Sequence, residues 1–286
     1  MSVPERVAVV GGDLAVEYTP GATAPVLAIH GVSSNARLWN WLHAAAPEFT
    51  LIRPDLRGRA ASFEVPGPSS SAQHADDVVA VLDAFGLTQV TVCGMSMGGF
   101  VAVELAVRHP DRVRDLVLVD GGFPMAGGDS LDAGAVRAAF SPQASRHDQV
   151  FADVDAYREF FLSGPTLLAA DDPLLTDYLA HDLGADGRPR LARDIVLDDA
   201  VDTLLGLRPW RELTVPVRLL AAEWSTGAGS LPAYPDALLE QYRAGLPSLV
   251  TVERVNGVDH AASIMTPRGA AAVATQLRAA VVGTAR

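Results

Sequence analysis

Short, nearly unbroken apolar runs that alternate with helical stretches constrain the fold of this 286-residue chain more than any other feature. Residues 25–29, 90–93 and 113–119 are such runs, and each is followed within two residues by a glycine. A strand that is apolar along its whole length is buried on both faces, and helices between such strands cover the faces of a parallel sheet. The pattern therefore predicts an α/β fold with a mostly parallel sheet and helices on both faces.

The same alternation extends toward both ends of the chain. Apolar-alternating runs at residues 6–10 and 14–18 flank a pair of glycines and predict a β-hairpin. Other elements are predicted from apolar runs and from apolar positions at helical spacing. They are strands at residues 49–53, 215–222 and 249–255, and helices at residues 72–85, 100–108 and about 267–281.

Residues 123–210 contain no convincing strand and combine acidic with aromatic residues. Short helices are predicted within this segment at residues 155–162 and 174–182. Because strands flank the segment on both sides, it is positioned to cover the crevice at the carboxyl edge of the sheet. We therefore expect residues 1–122 and 211–286 to form the core and residues 123–210 to form a helical cap. The cap aromatics, which indicate an apolar substrate portion, are Phe140, Phe151, Tyr157, Phe160, Phe161 and Tyr178.

Charge and cysteine content argue against several classes of function. The net charge of −12 is spread along the chain, whereas nucleic acids and anionic membranes are bound by basic surfaces. Cys93 is the only cysteine, so neither an internal disulfide nor a cysteine metal cluster can form. No apolar run reaches the roughly 18 residues of a membrane span, and residues 1–10 show no secretory signal. We expect a cytoplasmic protein with neither nucleic-acid nor membrane partners and with no metal.

A Gly-x-Ser-x-Gly motif at residues 94–98 lies between a predicted strand and a predicted helix. A sharp strand-to-helix turn forces the central residue, Ser96, into a strained conformation with positive φ, and side chains two residues to either side would collide. The strain lifts the serine hydroxyl clear of the backbone, and the helix N-terminus favours developing negative charge. The motif predicts Ser96 as a nucleophile; the competing interpretation is a chance match in a glycine-containing turn.

His260 is the predicted general base. A serine hydroxyl is a poor nucleophile until a neighbouring base removes its proton. Among the seven histidines, His260 alone lies in a loop between the last predicted strand and the last helix, and it follows Ser96 in chain order. The other histidines weighed for this role fall on helices or in the cap and are expected to be solvated or packing residues. They are His43, His74, His109, His147 and His181.

Two carboxylates compete to hold the base and balance its positive charge. Asp120 ends the strand that follows the nucleophile helix, and Glu223 ends the strand after the cap, so both are expected at the same edge of the sheet. Asp259 adjoins His260, but neighbouring side chains in a loop usually diverge. For Asp120, the competing interpretation is a turn residue bonded to the backbone of the glycines that follow it.

Backbone N–H donors must meet the negative charge that develops on a carbonyl oxygen under attack. Met97, directly after the nucleophile, is predicted to supply one donor. Val32, in the loop after the first parallel strand, is predicted to supply the other. His30 is expected to bond that loop rather than to act as an acid or base.

With these residues, the sequence resembles the α/β-hydrolase superfamily over nearly its whole length. The resemblance rests on His-Gly at residues 30–31, Pro-Asp-Leu-Arg-Gly-Arg at 54–59, Gly-Met-Ser-Met-Gly-Gly at 94–99, Leu-Val-Leu-Val-Asp at 116–120 and Asp-His at 259–260. It implies an eight-stranded, mostly parallel sheet, a helical cap between the sixth and seventh strands, and no cofactor.

Three departures from the family pattern matter. Ala-Ala-Ser at residues 60–62 stands where a glycine and a small residue are usual, so we expect a shifted loop. Ser225 occupies the usual slot of the acid after the seventh strand, which favours Asp120 over Glu223 as the acid. The nucleophile is serine rather than aspartate, which excludes the dehalogenase and epoxide-hydrolase mechanisms.

The expected function is cleavage of a carboxylic ester or lactone of a small, mainly apolar substrate through an acyl-enzyme on Ser96. Ser96, His260 and Asp120 also suit a C–C bond hydrolase or a cofactor-free perhydrolase. A non-catalytic receptor that binds a small ligand in the capped pocket is the alternative from another class, although such a receptor has no need to keep Ser96 and His260. Oligomeric state is left open by the sequence.

Overall fold

The computed structural model describes residues 4–206 and 209–282. Its strands are β1 (Pro4–Val9), β2 (Gly12–Thr19), β3 (Val26–Ile29), β4 (Leu51–Pro54), β5 (Val90–Met95), β6 (Val113–Val119), β7 (Val217–Ala222) and β8 (Leu249–Val255). Its α-helices are α1 (Asn40–Ala45), α2 (Ser71–Ala84), α3 (Met97–Arg108), α4 (Ala133–Ala144), α5 (Val154–Phe161), α6 (Pro173–Asp182), α7 (Arg193–Leu205), α8 (Asp236–Gly245) and α9 (Pro267–Val282).

The described strands form one eight-stranded sheet in the order β1-β2-β4-β3-β5-β6-β7-β8. β1 and β2 form the predicted hairpin, and β2 also pairs antiparallel with β4. Every pairing from β4 through β8 is parallel. The prediction of an eight-stranded, mostly parallel sheet is confirmed.

Burial on both faces of the central strands explains their unbroken apolar sequences. In β5, Val92 and Cys93 are both fully buried but belong to apolar clusters on opposite faces of the sheet. Leu118 and Val119 repeat this arrangement in β6. Successive side chains of a strand point to opposite faces, so a sheet covered twice requires apolar residues at every position.

The segment between β6 and β7 contains α4, α5, α6 and α7. Helices α5 and α6 match the helices predicted at residues 155–162 and 174–182 within one residue at each end. Helices α4 and α7 were not predicted, and neither were α1 and α8 outside the segment. The division of the chain into a core and a cap at residues 123–210 stays a prediction.

Helix α3 begins three residues earlier than predicted, at Met97 rather than Phe100. The first turn contains Gly98 and Gly99, which lower intrinsic helix propensity, but the tertiary contacts of the strand-to-helix turn override it. No helix in residues 4–206 and 209–282 combines the length and apolarity that crossing a membrane requires.

Candidate active site

Ser96 lies at the sharp turn between β5 and α3 and has φ 54° and ψ −124°. The glycines of the motif are required by close backbone contacts. A Cβ atom on Gly94 would lie 2.2 Å from the Gly98 carbonyl oxygen, and one on Gly98 would lie 2.1 Å from the Ile29 carbonyl oxygen. No side chain fits at these distances, so the turn that projects Ser96 depends on both glycines.

Asp120 and His260 are in direct contact. The residue after β6, Asp120, is 1% exposed, and its Oδ2 accepts a hydrogen bond of 2.6 Å from His260 Nδ1–H. The other carboxylate oxygen accepts the backbone N–H of Ala222 at 3.0 Å, so the carboxylate is held at the end of β7. With Nδ1 bonded to Asp120, Nε2 is the ring nitrogen left to act on a second partner.

The other two acidic candidates are engaged elsewhere. Glu223 Oε2 accepts the backbone N–H of Gly257 at 2.6 Å. Asp259 bonds two backbone N–H groups, those of Gly227 and Ala262. Of the three carboxylates weighed from the sequence, the structure therefore brings Asp120 onto the imidazole of His260.

The charge state of His260 reflects opposing influences. Burial, the largest, lowers its pKa, but the hydrogen bond from His260 to Asp120 and the charges of Asp120 and Asp259 outweigh it and raise the pKa above the ordinary 6.5. The ring is partly desolvated rather than sealed from solvent, since 37% of the side chain is exposed. Positive charge on this ring is thus stabilised, as a base that accepts a proton during a reaction requires.

Ser96 and His260 line the same cavity, which has a volume of about 380 Å³. None of the hydrogen bonds formed within residues 4–206 and 209–282 joins the Ser96 hydroxyl to the His260 ring. In unliganded sites such bonds are often long and tighten only when substrate binds. Both side chains therefore lie at the surface of one cavity, and most of the residues that line it are apolar.

Val32 also lines this cavity, whereas Met97 begins α3 beneath Ser96. As the first residue of a helix, Met97 has a backbone N–H with no partner inside the helix. His30 is fully buried, its Nε2 accepts the Leu56 N–H at 3.0 Å, and its Nδ1–H donates to the Gly31 carbonyl at 2.8 Å. His30 therefore bonds the loop, as expected from the sequence.

The six cap aromatics named from the sequence divide into two groups. Phe140, Phe161 and Tyr178 line the cavity. The other three pack together, the ring of Phe151 contacting the rings of Tyr157 and Phe160.

The turn after β4 has alanine where the family pattern has glycine, but its backbone has a conformation typical of glycine. Ala60 has φ 41°, the left-handed conformation that glycine ordinarily supplies.

Asp55 accepts the backbone N–H groups of Ala36 and Ala61 and the side-chain N–H of His181 at 2.7 Å. His181, expected from the sequence to be a solvated or packing residue, therefore pairs with Asp55 and joins the insertion to the core.

Sequence reasoning named Tyr178 only as a cap aromatic and did not single out Arg146 at all. Tyr178 O–H donates to the Ser34 hydroxyl at 3.1 Å, and Arg146 donates to the Ser33 carbonyl at 2.7 Å. Both contacts join the insertion to the loop after β3. Their sequence separations exceed 100 residues, so no local pattern signals them.

The family model of the alpha/beta hydrolase fold matches residues 24–167, half of the chain. Among curated proteins, the putative carbamate hydrolase RutD of Azorhizobium caulinodans is 29% identical over 266 residues, covering 90% of this chain and 92% of that protein. A 2-hydroxymuconate semialdehyde hydrolase of a Pseudomonas species is 37% identical over 129 residues, covering 41% of this chain and 43% of that enzyme. An uncharacterized Mycobacterium tuberculosis protein is 37% identical over 103 residues, which are 36% of this chain and 30% of that protein. The chain thus spans under a third of the length of this protein and of two other uncharacterized mycobacterial relatives.

Solved structures share the fold along nearly the whole chain. An E-2-(acetamidomethylene)succinate hydrolase superposes with a TM-score of 0.78 at 22% identity, covering 99% of this chain and 100% of that one. A thermophilic esterase from Thermogutta terrifontis gives a TM-score of 0.70 at 20% identity, with coverages of 98% and 99%. At these identities the likeness concerns the fold.

Proposed function

Since this chain belongs to the alpha/beta hydrolase fold family, we propose that it cleaves a carboxylic ester or lactone of a small, mainly apolar substrate through an acyl-enzyme on Ser96. One observation carries the proposal. The buried carboxylate of Asp120 holds Nδ1 of His260 at 2.6 Å, and the imidazole lines the cavity that contains the Ser96 hydroxyl.

In the first half of the reaction, Ser96 Oγ attacks the carbonyl carbon while its proton moves to Nε2 of His260. Asp120 keeps Nδ1–H in place and balances the imidazolium charge. The N–H groups of Val32 and Met97 donate to the oxygen that becomes negative. The C–O bond to the alcohol then breaks, and the departing alkoxide takes the proton from Nε2, which leaves the acyl group on Ser96.

In the second half, His260 removes a proton from a water molecule that attacks the acyl-enzyme. The tetrahedral intermediate forms in the same place, so the same two backbone donors stabilise it. Its collapse breaks the bond to Ser96 Oγ, which regains its proton from His260. The products are a carboxylic acid and an alcohol, or one hydroxy acid if the substrate is a lactone.

The lining of the cavity supports the proposed substrate class. Its side chains are mainly aliphatic, aromatic or methionine, with Phe140 and Phe161 contributed by the insertion. A cavity of about 380 Å³ lies near the lower end of the roughly 300–1,000 Å³ usual for small-molecule sites. Hydrophobic pockets discriminate weakly between groups of similar size, so several small acyl or alcohol portions are expected to react.

The test is labelling of the purified protein by a fluorophosphonate, together with hydrolysis of a panel of p-nitrophenyl esters and lactones. The wild type is expected to be labelled and to turn over short-chain esters, and Ser96→Ala is expected to do neither while unfolding at a similar temperature. Ser96→Ala removes a hydroxyl at a strained turn rather than core volume. Labelling that persists in Ser96→Ala, or a wild type that hydrolyses no member of the panel, would refute the proposal.

A second candidate is cleavage of a carbamate. It is supported by the similarity to the putative carbamate hydrolase, which extends over 90% of this chain. A carbamate presents the same carbonyl to Ser96 but a less electrophilic carbon. Aryl carbamates in the same panel separate the candidates, because a kcat/KM for a carbamate above that of the matched ester would favour this reaction.

A further inference from the structure

Three successive carbonyl groups in the loop after β3 are each held by a buried basic side chain. The Gly31 oxygen accepts from His30, the Val32 oxygen accepts from Arg59, and the Ser33 oxygen accepts from Arg146. His30 and Arg59 are fully buried, and Arg146 is 5% exposed. Besides a backbone bond of 3.3 Å from the Ser34 N–H to the Gly31 oxygen, these side-chain bonds hold the peptide planes of the loop in place.

Arg59 makes the most extensive of these contacts. Its Nε–H and Nη2–H both donate to the Val32 carbonyl, at 3.0 and 2.8 Å, and Nη1–H donates to the Arg57 carbonyl at 2.7 Å. Nη1 also lies 2.6 Å from Oδ2 of Asp199 in α7. The two-pronged bond to one oxygen depends on the planar guanidinium, and a lysine ammonium cannot reproduce it.

Peptide geometry connects these bonds to the proposed reaction. The C=O and N–H of one peptide unit point in opposite directions. Because the Gly31 and Val32 oxygens face His30 and Arg59, the N–H groups of Val32 and Ser33 face away from those buried side chains. Val32 and Ser33 both line the cavity that contains Ser96.

The geometry points to Arg59 as a positioning residue: it fixes the Val32–Ser33 peptide plane and, together with His30 on the Gly31–Val32 plane, keeps the Val32 N–H aimed at the oxygen of the tetrahedral intermediate. This inference rests on the proposed acyl transfer at Ser96. An interaction made only with the transition state changes kcat and leaves substrate binding unchanged. Removal of one such donor lowers kcat by about 10²–10³-fold, so loss of its alignment is expected to cost a part of that factor.

Arg57 supplies a matched control two residues away. It is 1% exposed, and it forms a two-pronged ion pair with Asp77. Its other donors bond the Pro66 and Val10 carbonyls, which belong to no part of the cavity lining. Arg57→Lys and Arg59→Lys thus perturb equally buried ion pairs, but only the second changes the loop after β3.

The experiment compares kcat, KM and the Ki of an alkyl boronic acid, which forms a tetrahedral adduct with a serine nucleophile, for the wild type and both variants. For Arg59→Lys we expect kcat to fall by about 10- to 100-fold, the Ki to rise by a similar factor, and KM to stay within about threefold. For Arg57→Lys we expect all three to stay within about threefold. Equal losses of kcat in the two variants, or a change confined to KM, would overturn the inference.

A second pair of variants covers the case that Arg59→Lys does not fold. The double variant Arg59→Met/Asp199→Asn removes both charges of the ion pair. The amide that replaces the carboxylate can still form a hydrogen bond with His74, whose Nε2 lies 3.0 Å from Oδ2 of Asp199. The control for this double variant is Arg57→Met/Asp77→Asn. A kcat equal to wild type in the Arg59 pair refutes the positioning role while the hydrolase proposal stands, whereas a wild type without ester turnover refutes the proposed function itself.

Discussion

Replacing Asp120 by asparagine removes one charge and leaves nearly the same shape. Asparagine tolerates positive φ better than most residues, which matters because Asp120 has φ 45°. Its amide oxygen can accept the Ala222 N–H that Oδ1 accepts in the wild type. The fold is therefore expected to persist, and any loss of activity reports on the contact with His260.

The size of the loss follows from this hydrogen-bonding pattern. With the amide oxygen on Ala222, the amide N–H₂ faces Nδ1 of His260, so Nδ1 must accept rather than donate. The ring proton then resides on Nε2, which can no longer take the proton of Ser96. An asparagine in the equivalent role of a serine triad lowers kcat about 10⁴-fold, which corresponds to about 5.4 kcal/mol of transition-state stabilisation.

The assay is kcat for a p-nitrophenyl ester, with thermal unfolding as a check on the fold. Glu223→Gln is the matched control, because glutamine keeps an oxygen that accepts the Gly257 N–H and because Glu223 makes no contact with His260 within the described residues. We expect kcat of the control to stay within about threefold of wild type. A folded Asp120→Asn with less than a tenfold loss, or a loss of about 10³-fold in Glu223→Gln alone, would refute the assignment of the acid.

Three further predictions concern the turn, the base and the loop. Gly98→Ala places a Cβ 2.1 Å from the Ile29 carbonyl oxygen, so we expect the free energy of unfolding, measured by urea titration, to fall by about 3 kcal/mol or more. A fall of less than about 1 kcal/mol would contradict this close contact. Burial lowers the pKa of His260, but Asp120 and Asp259 raise it above 6.5, so kcat/KM should fall as pH drops through the raised pKa, and Asp259→Asn should move that fall to lower pH. Burial lowers the pKa of His30 from 6.5 to about 4, so acidification protonates the unfolded chain first and stability is lost between these values. The loss amounts to about 3 kcal/mol between pH 7 and pH 4, and His30→Gln should show a correspondingly smaller loss in denaturant titrations at the two pH values.

The local parts of the fold could be predicted because each has its own sequence pattern. Strand β8 (Leu249–Val255) matches the prediction at both ends, and α9 does so within one residue. Helices α4 and α7 were missed for physical reasons. Helix α4 includes Pro142, which ordinarily breaks a helix, and α7 begins after Ala192, which supplies no side-chain cap.

The residues of the candidate site also differ in how far a local sequence pattern points to them. The meeting of Ser96 and His260 at one cavity was predictable because a short motif and the chain order point to these two residues, whose catalytic roles stay predictions. Arg59 was not singled out, since its contacts with Val32 and Asp199 join positions 27 and 140 residues away. Nothing in the local sequence distinguishes it from Arg57, whose bonds serve the hairpin and α2.

The backbone at the ends of β6 and β7 explains why one carboxylate rather than the other reaches His260. Asp120 donates its N–H to the Leu220 carbonyl and turns through positive φ, which directs its short side chain across the end of β7. Glu223 instead donates its N–H to the Val258 carbonyl, so it follows β8 and its longer side chain bonds the loop at Gly257. The choice between them thus depends on which neighbouring strand end each backbone pairs with. That pairing is a tertiary property, and the sequence pointed toward it only through Ser225 in the slot where an acid is usual.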